Sequence, residues 1–299
     1  FRSINTIQSN PSFVKYFKTM FIISSVAFII SVLSLFILGI KSSIDFTGGT
    51  IINVAVDGTI DLSNLRKVLE ENLNQSINVV EVKSDEESYI LLKMSYLSDE
   101  KIINDLLETV YGSNYVINQI ESIGPKLGDE LKINARNAII ASLLLIGLYI
   151  SIRFDGYYAI GSLFALLHDV FITLGIFIFM NMEISISIIA ALLTIVGYSL
   201  NDTIVIYDRI RENMSLNPYR DKKKIFNTSL NQTLNRTLVT SLTTLMVVIV
   251  LYFYGGNVLK PFAIALIIGV ILGTYSSIFI ASPVTLFLEE KYNIETEED

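Results

Sequence analysis

The chain carries at residues 157–206 the stretch YYAIGSLFALLHDVFITLGIFIFMNMEISISIIAALLTIVGYSLNDTIVI, which decides its fold. The stretch is too long to be one membrane span, because about 20 apolar residues cross the roughly 30 Å of hydrocarbon in a bilayer. Within it, Asn181-Met182-Glu183 is the one plausible turn. The stretch therefore predicts two adjacent transmembrane helices.

The composition of the whole chain indicates a protein that lies mostly in lipid. Of its 299 residues, 52% are hydrophobic and 17% are charged, and the mean hydropathy is +0.55. A net charge of −7 argues against a nucleic-acid partner, which would need a basic surface. The chain has no cysteine and one histidine, so we expect no disulfide, metal or cofactor. The segment GPKLGDE at 124–130 lacks the Lys and Ser or Thr of a phosphate-binding loop, and we expect no enzymatic activity.

Apolar runs on both sides of the first stretch bring the predicted spans to six. The first run is too long for a cleaved signal peptide and has no small-residue cleavage site after it. The second is short for a full crossing unless its flanking arginines extend to the interface. The predicted spans are 19–41, the run between Arg136 and Arg153, two within 157–206, Thr237–Tyr254, and Phe262–Leu288 after a loop at Gly255-Gly256-Asn257.

The distribution of Lys and Arg predicts which ends of the spans are cytoplasmic, because basic residues are kept on that side. The turn at Asn181 has none, and the loop at Gly255 has only Lys260. We therefore expect both termini, residues 1–18 and an acidic, loose tail at 289–299, in the cytoplasm. The basic residues that support this orientation are Arg2, Lys15 and Lys18 before span one, and Arg209, Arg211, Arg220, Lys222, Lys223 and Lys224 between spans four and five.

Residues 42–134, between spans one and two, have the character of a soluble domain and are predicted to lie outside the cell. Four segments alternate apolar and polar residues, and two have helical spacing after Asp61 and Ser98. The order β-α-β-β-α-β predicts a ferredoxin-like α+β domain attached to an all-α membrane bundle. Because this domain has no metal or nucleotide motif, we expect it to be a contact module and not an enzyme. The predicted strands are Thr50–Val56, Ile77–Lys83, Ser88–Ser95 and Tyr115–Ser122.

Ionisable residues inside the predicted spans form the candidate site, since an aspartate at a span centre costs about 2.5–3.5 kcal/mol to insert. Asp202 in span four and Arg236 in span five lie near the inner ends of their helices, at depths that allow them to pair. A carboxylate that loses its arginine partner can take up a proton. Each lies in a polar stripe: Thr194, Tyr198, Asn201, Asp202 and Val205; and Gln232, Arg236, Thr240, Thr243 and Thr244.

A structural role remains the alternative for each of these residues. Asp202 could bond a neighbouring helix or meet interfacial water. His168 and Asp169 in span three point about 100° apart, so we expect no isolated couple between them, and bonding to adjacent helices is their alternative role. Gly269 and Gly273 form a GxxxG pair, which is typical of close helix packing.

Five motifs, in order along the chain, resemble the SecF subunit family of the SecD-SecF protein translocase, a branch of the RND transporter superfamily. The motif Asp45-Phe46-Thr47-Gly48-Gly49 resembles the family's sequence at the start of its external domain. The other four are Ser122–Gly128, Ala165–Asp169, Gly197–Thr203 continuing to Asp208–Glu212, and Leu234–Thr237.

The resemblance implies a subunit of the bacterial Sec export machinery, embedded in the inner membrane, which couples the proton or sodium motive force to late steps of polypeptide translocation. The implied partners are a separate SecD-like subunit, the SecY-type channel and the unfolded secretory polypeptide. Ion-relay roles are implied for Asp202 and Arg236, and Asn201, Asp169 and His168 are further candidates. The driving ion stays open.

Two other functions fit parts of the sequence. One is half of an RND-type small-molecule exporter, although such exporters usually have larger external domains and a second set of six spans. The other is an intramembrane hydrolase that would use His168 and Asp169, but no nucleophile or metal motif accompanies them.

Overall fold

The computed structural model describes residues 11–56, 61–83, 88–97 and 101–297. Arg2 and Ser98, on which two expectations rest, lie outside the described residues. The chain divides into two compact units, one of which is Ser42–Asn137 and the other the remaining residues up to Lys41 and from Ala138 onward. The boundary of 137 lies three residues beyond the predicted domain end at 134.

The unit Ser42–Asn137 is built around a four-stranded antiparallel sheet with strand order β2-β3-β1-β4. The side chain of Asp61 accepts hydrogen bonds from the backbone N–H groups of Ser63 and Asn64, at 3.1 and 3.0 Å, which caps the first long helix as predicted. The elements are α2 Ile44–Thr47, β1 Gly49–Val56, α3 Leu62–Leu73, β2 Asn78–Lys83, β3 Ser88–Met94, α4 Lys101–Tyr111 and β4 Tyr115–Ile123.

The core of this unit lies between the sheet and the two helices α3 and α4. Alternate residues of β1 and β3 face the core, as the period of two requires, and they meet leucines and isoleucines spaced four apart on the helices. Both helices therefore cover one face of the sheet. The central side chains, all fully buried, are Ile52, Val54, Ile90 and Leu92 from the sheet and Leu65, Leu69, Ile103 and Leu107 from the helices.

The other unit is a bundle of long apolar helices. Among the described residues, six helices are long and apolar enough to cross a membrane, and the sixth of them runs over Leu259–Lys291. A π-helical segment, Ser277–Ala281, interrupts it just before Pro283, which has no N–H to donate to an α-helical hydrogen bond. The elements are α1 Phe13–Ile37, α5 Pro125–Arg153, α6 Gly156–Phe179, α7 Ile186–Leu216, α8 Lys222–Tyr254, α9 Gly256–Ser276 and α10 Ser282–Glu297.

The helices extend further than the spans expected from hydropathy. Helix α5 begins at Pro125 and has 29 residues, so the second span is not short. Helix α8 begins at Lys222, where the Asp221 side chain caps it, well before the expected start at Thr237. Helix α10 continues to Glu297 through most of the expected loose tail. Hydropathy marks only the part of a helix that lies in hydrocarbon, and polar sequence can continue the same helix into water.

Three spans form the interior of the bundle. About half of each apolar window is buried in α6, α7 and the sixth span (50, 44 and 56%), against 17, 6 and 17% in α1, α5 and α8. Gly269 and Gly273 bring α9 against α7, because a Cβ at Gly269 would overlap the Ile195 side chain. The close packing that the GxxxG pair predicts is confirmed.

Gly273→Ala should destabilise the bundle by about 1–3 kcal/mol, the usual cost of overpacking. A Cβ at Gly273 would lie 2.9 Å from Ser199 Cβ and 3.2 Å from Ser199 Cα, so α7 or α9 must move. Gly197→Ala is the matched control, because a Cβ at that helical position meets no atom within 4 Å. Thermal aggregation of the detergent-solubilised protein measures both, and equal loss in the two variants would contradict this packing.

Candidate ion-relay site in the membrane bundle

Asp169 lies at the centre of a buried polar cluster that joins three helices. Its Oδ2 atom accepts hydrogen bonds from Ser199 Oγ on α7 and Ser276 Oγ on α9, both at 2.7 Å. Its Oδ1 atom lies 2.9 Å from His168 Nδ1. The carboxylate and both serines are fully buried. Every oxygen of this carboxylate therefore has a partner, which is the condition for burying a charged group.

His168 and Asp169 lie within hydrogen-bond distance of each other, although we expect no isolated couple between neighbours on a helix. Although their Cα–Cβ bonds diverge around the helix, both side chains are long enough for the ring and the carboxylate to converge beside it. The couple is not isolated, because the serines of α7 and α9 complete it. The His168 ring also stacks on Tyr275, with centroids 6.2 Å apart, and its Nε2 atom is buried without a hydrogen-bond partner.

Asp202 lies on α7 one turn after Ser199, and its surroundings differ from those of Asp169. Its side chain is buried, with 2% of the residue exposed, and its Oδ2 atom has no hydrogen-bond partner. Among the described residues, none forms an ion pair with it. A buried carboxylate oxygen without a partner makes the charged form of the group costly.

Arg236 is the charged residue whose electrostatic influence reaches Asp202, but the two form no direct ion pair. Arg236 is exposed at the surface of the bundle, and so is Asn201. The expected stripe on α7 is thus divided, because Thr194 and Asn201 face outward while Asp202 faces inward. Asn201 and Asp202, which are adjacent in this stripe, therefore differ in burial.

Sequence reasoning missed Ser199 and Ser276, which bind the central carboxylate. A signal for Ser276 was present, because it follows Gly269 and Gly273 at helical spacing on the face of α9 that packs against α7. Ser199 lies within the motif Gly197–Thr203, but the motif alone assigned it no role. Within the described residues, no group of three or more His, Cys, Asp or Glu side chains could hold a metal ion.

The motif at residues 45–49 forms a sharp corner at the start of the unit Ser42–Asn137. Ser43 caps the short helix α2 by accepting a hydrogen bond from the Asp45 N–H at 3.2 Å. Phe46 is buried, and Gly48 adopts a φ of 71° before the chain enters β1 at Gly49. A Cβ at Gly48 would lie 2.8 Å from Pro125 Cα, so the first and second motifs pack directly on each other.

Comparisons with known proteins identify the family. The family model described as "Protein export membrane protein SecD/SecF, C-terminal" matches residues 102–291. The protein translocase subunit SecF of Calditerrivibrio nitroreducens is 39% identical to this chain, over 92% of this chain and 92% of its own length. This chain belongs to the SecF family. The SecF subunit of Vibrio alginolyticus is 40% identical over 92% of this chain and 89% of its own length.

Solved structures show the same architecture for this SecF-family chain. The crystal structure of SecDF, a translocon-associated membrane protein from Thermus thermophilus, has a TM-score of 0.85 at 36% identity and covers 95% of this chain. A second SecDF structure, in a super-membrane-facing form, has a TM-score of 0.73 at 35% identity over 98% of the chain. This chain spans 39 and 40% of those longer SecDF chains. It is thus a multi-pass membrane protein of the SecD/SecF protein-export family.

Gly48→Ala should destabilise the unit Ser42–Asn137 of this SecF-family protein. At the φ of 71° and ψ of 158° of Gly48, a region essentially confined to glycine, another residue costs about 1–3 kcal/mol, and the new methyl group would also press on the Pro125 backbone. Gly124→Ala, in the second motif, is the control, because it meets no atom within 4 Å and its φ is not positive. Limited proteolysis of the unit Ser42–Asn137 should accelerate only in the Gly48 variant. Equal protection of both variants would contradict the strained corner.

Proposed function

We propose that this chain is a SecF subunit which couples the proton motive force, or a sodium motive force, to late steps of polypeptide translocation. The observation that carries the proposal is Asp202, a carboxylate buried within the membrane bundle whose Oδ2 atom has no partner. In the same helix bundle both carboxylate oxygens of Asp169 have hydrogen-bond partners, so the two aspartates differ in how far their buried oxygens are satisfied.

In the proposed cycle, Asp202 takes up a proton from one side of the membrane and releases it to the other. The neutral acid tolerates the buried position, whereas the anion attracts Arg236 across the intervening space. Ser199 lies one turn away on the same helix and holds Asp169 and, through it, α6 and α9. A shift of α7 at Asp202 would therefore strain this cluster, which supports a change in helix packing and a movement of the external unit.

The energy available is sufficient for such a movement. One elementary charge that crosses 100 mV releases about 2.3 kcal/mol. That free energy biases a two-state equilibrium by roughly fifty-fold. We propose Asp202 and Arg236 as the principal relay residues, with Asn201 as a further candidate. The Asp169 carboxylate is fully hydrogen-bonded, in part by His168, which supports anchoring by this pair more than ion transfer.

The surface of the bundle supports a SecD-like partner. Asn201 and Arg236 are exposed on α7 and α8, which are both apolar enough to span a membrane, and polar groups in a span need protein or water beside them. The SecDF relatives carry additional sequence in the same chain. We propose a heterodimer with a SecD-like subunit in the bacterial inner membrane, with both termini cytoplasmic, that works with a SecY-type channel on unfolded secretory polypeptide and carries out no catalytic step of its own.

The external unit is proposed to have the ferredoxin-like fold. The strand order β2-β3-β1-β4, with all pairs antiparallel and both long helices on one face, supports that assignment. Such a unit offers an open face of the sheet for contacts with polypeptide.

Complementation tests the proposed function. Expressed with its SecD-like partner in bacteria that lack their own SecF, the chain should restore export of secretory precursors and co-purify with that partner. The exporter alternative predicts the opposite result: loss of the chain would then change drug susceptibility and leave secretion intact. Changed efflux with unchanged precursor processing would overturn the proposal.

A further inference from the structure

A basic cavity lies at the end of the bundle where α1 and α8 both begin. Its volume is about 510 Å³, and four of the residues that line it are cations, Lys15, Arg220, Lys223 and Lys224, while no acidic residue lines it. The Asn231 side chain on α8 donates a hydrogen bond to the Pro11 carbonyl at 3.0 Å. The two walls of the cavity are thus linked by a direct contact.

Most of the positive charge in this cavity has no counterion within the chain. Lys223 forms an ion pair with Glu290 at 3.7 Å, and the adjacent Lys222 pairs with Glu289 outside the cavity. Within the described part of the chain, Lys15, Arg220 and Lys224 form no ion pair. Three cations that converge on one concave space repel each other, so the arrangement favours an anion between them.

The N-terminus of α1 also lies at this cavity. Ser12, which lines the cavity, precedes the first residue of α1, and its side chain accepts no capping hydrogen bond there. The first N–H groups of α1 therefore lack side-chain partners at an end of the helix where the macrodipole also favours negative charge.

The depth of the cavity matches the headgroup layer of a bilayer. Lys18 is the last charged residue before the uncharged run 19–40. Lys15 lies one turn further out, about 6 Å from the start of that run at 1.5 Å per residue. The headgroup layer is roughly 5–7 Å thick on each side of the hydrocarbon. Tyr16 and Tyr219, exposed beside Lys15 and Arg220, are residues typical of this interface.

We propose that this basic cavity binds the phosphate group of an anionic phospholipid in the cytoplasmic leaflet. The orientation of the chain proposed above supplies the leaflet, whereas the cavity and its charges stand independently of the export function. A bound lipid would hold the start of α1 against α8 by filling the space between four cations. Basic pockets between helices on the cytoplasmic side are suited to such headgroups.

The test measures lipid binding to the purified full chain by native mass spectrometry, with dioleoylphosphatidylglycerol, dioleoylphosphatidylcholine and inorganic phosphate as probes. Phosphatidylglycerol should bind the wild-type chain, and phosphatidylcholine and inorganic phosphate should not displace it at equal concentration. The variant K15Q/R220Q/K224Q keeps the ion pair of Lys223 and removes the three free cations. Its affinity for phosphatidylglycerol should fall by about a hundred-fold, at about five-fold for each cation.

The control variant K126Q/K132Q/R136Q removes the same charge from exposed positions on α5 and should bind as the wild type does. Should the triple variant fail to fold, Lys15→Gln alone should weaken binding about five-fold. Equal loss in both triple variants, or equal binding of the two lipids, would overturn the proposal. Displacement of the lipid by inorganic phosphate alone would overturn the lipid as the ligand and make the cavity a site for a soluble anion.

Discussion

Asp202→Asn is expected to abolish the part of late translocation that depends on the ion gradient. Asparagine has nearly the size of aspartate, so the packing of α7 around this buried position is preserved. It cannot exchange a proton, so the gradient can no longer bias the helix arrangement, and the gradient-stimulated rate should fall by up to about fifty-fold. Translocation without a gradient should remain.

Asp208→Asn is the matched control for this experiment. Asp208 lies on the same helix six residues later, about half exposed, and its carboxylate pairs with Arg153 at 3.3 Å. Inverted vesicles from bacteria that lack their own SecF, supplied with each variant, allow the rate to be measured with and without an imposed gradient. Gradient stimulation that survives Asp202→Asn would show that another group carries the ion.

Asp169→Ala is expected to destabilise the bundle by several kcal/mol, because each buried polar group that it leaves without a partner costs about 1–3 kcal/mol. The substitution leaves His168 Nδ1 and the hydroxyl groups of Ser199 and Ser276 without their shared acceptor. Asp169→Asn should lose less stability, because the amide oxygen of asparagine can still accept hydrogen bonds from the serines. The temperature at which the solubilised protein aggregates reports both effects.

Asp208→Ala supplies the comparison here too. Its ion pair with Arg153 is half exposed, and exposed pairs contribute about 0–1 kcal/mol. If the alanine variants at 169 and 208 shifted the aggregation temperature equally, the cluster around Asp169 would not be what joins α6, α7 and α9.

The spans and strands could be predicted because each depends on a local property of the sequence. A run of apolar residues must lie in lipid wherever it occurs, and the turn at Asn181 follows from the length limit on one span. There the left-handed φ of 57° at Asn181 is a conformation that asparagine tolerates well. The alternation of apolar and polar residues in β1 and β3 likewise indicates which side chains face the core of the unit Ser42–Asn137.

The starts of α5 and α8 could not be predicted from hydropathy, which carries no signal for helix in water, whereas the Asp61 cap indicated the start of α3. The first turns of α8 hold three consecutive lysines, and only the Asp221 cap indicated that a helix begins there. Its carboxylate accepts from the Lys223 N–H at 3.1 Å. Residues 125–135 of α5 are polar in the same way.

The geometry of the candidate site depends on how helices rotate against one another, which spacing along one helix does not determine. Thr194, Asn201 and Asp202 share a stripe on α7, but Asp202 is buried, as is Ser199, which contacts α9, whereas Thr194 and Asn201 are exposed. The same contact brings Ser276 to Asp169, from a helix more than a hundred residues away in sequence. Nothing in either segment alone predicts that meeting.

Asp202 is proposed to carry the ion, and a measurement of ion uptake into liposomes decides whether it does. The chain and its SecD-like partner are reconstituted, a membrane potential is imposed, and proton and sodium uptake are followed separately. We expect uptake of one of these ions by the wild type and by Asp208→Asn, and none above background by Asp202→Asn. Undiminished uptake by the Asp202→Asn protein would contradict the claim.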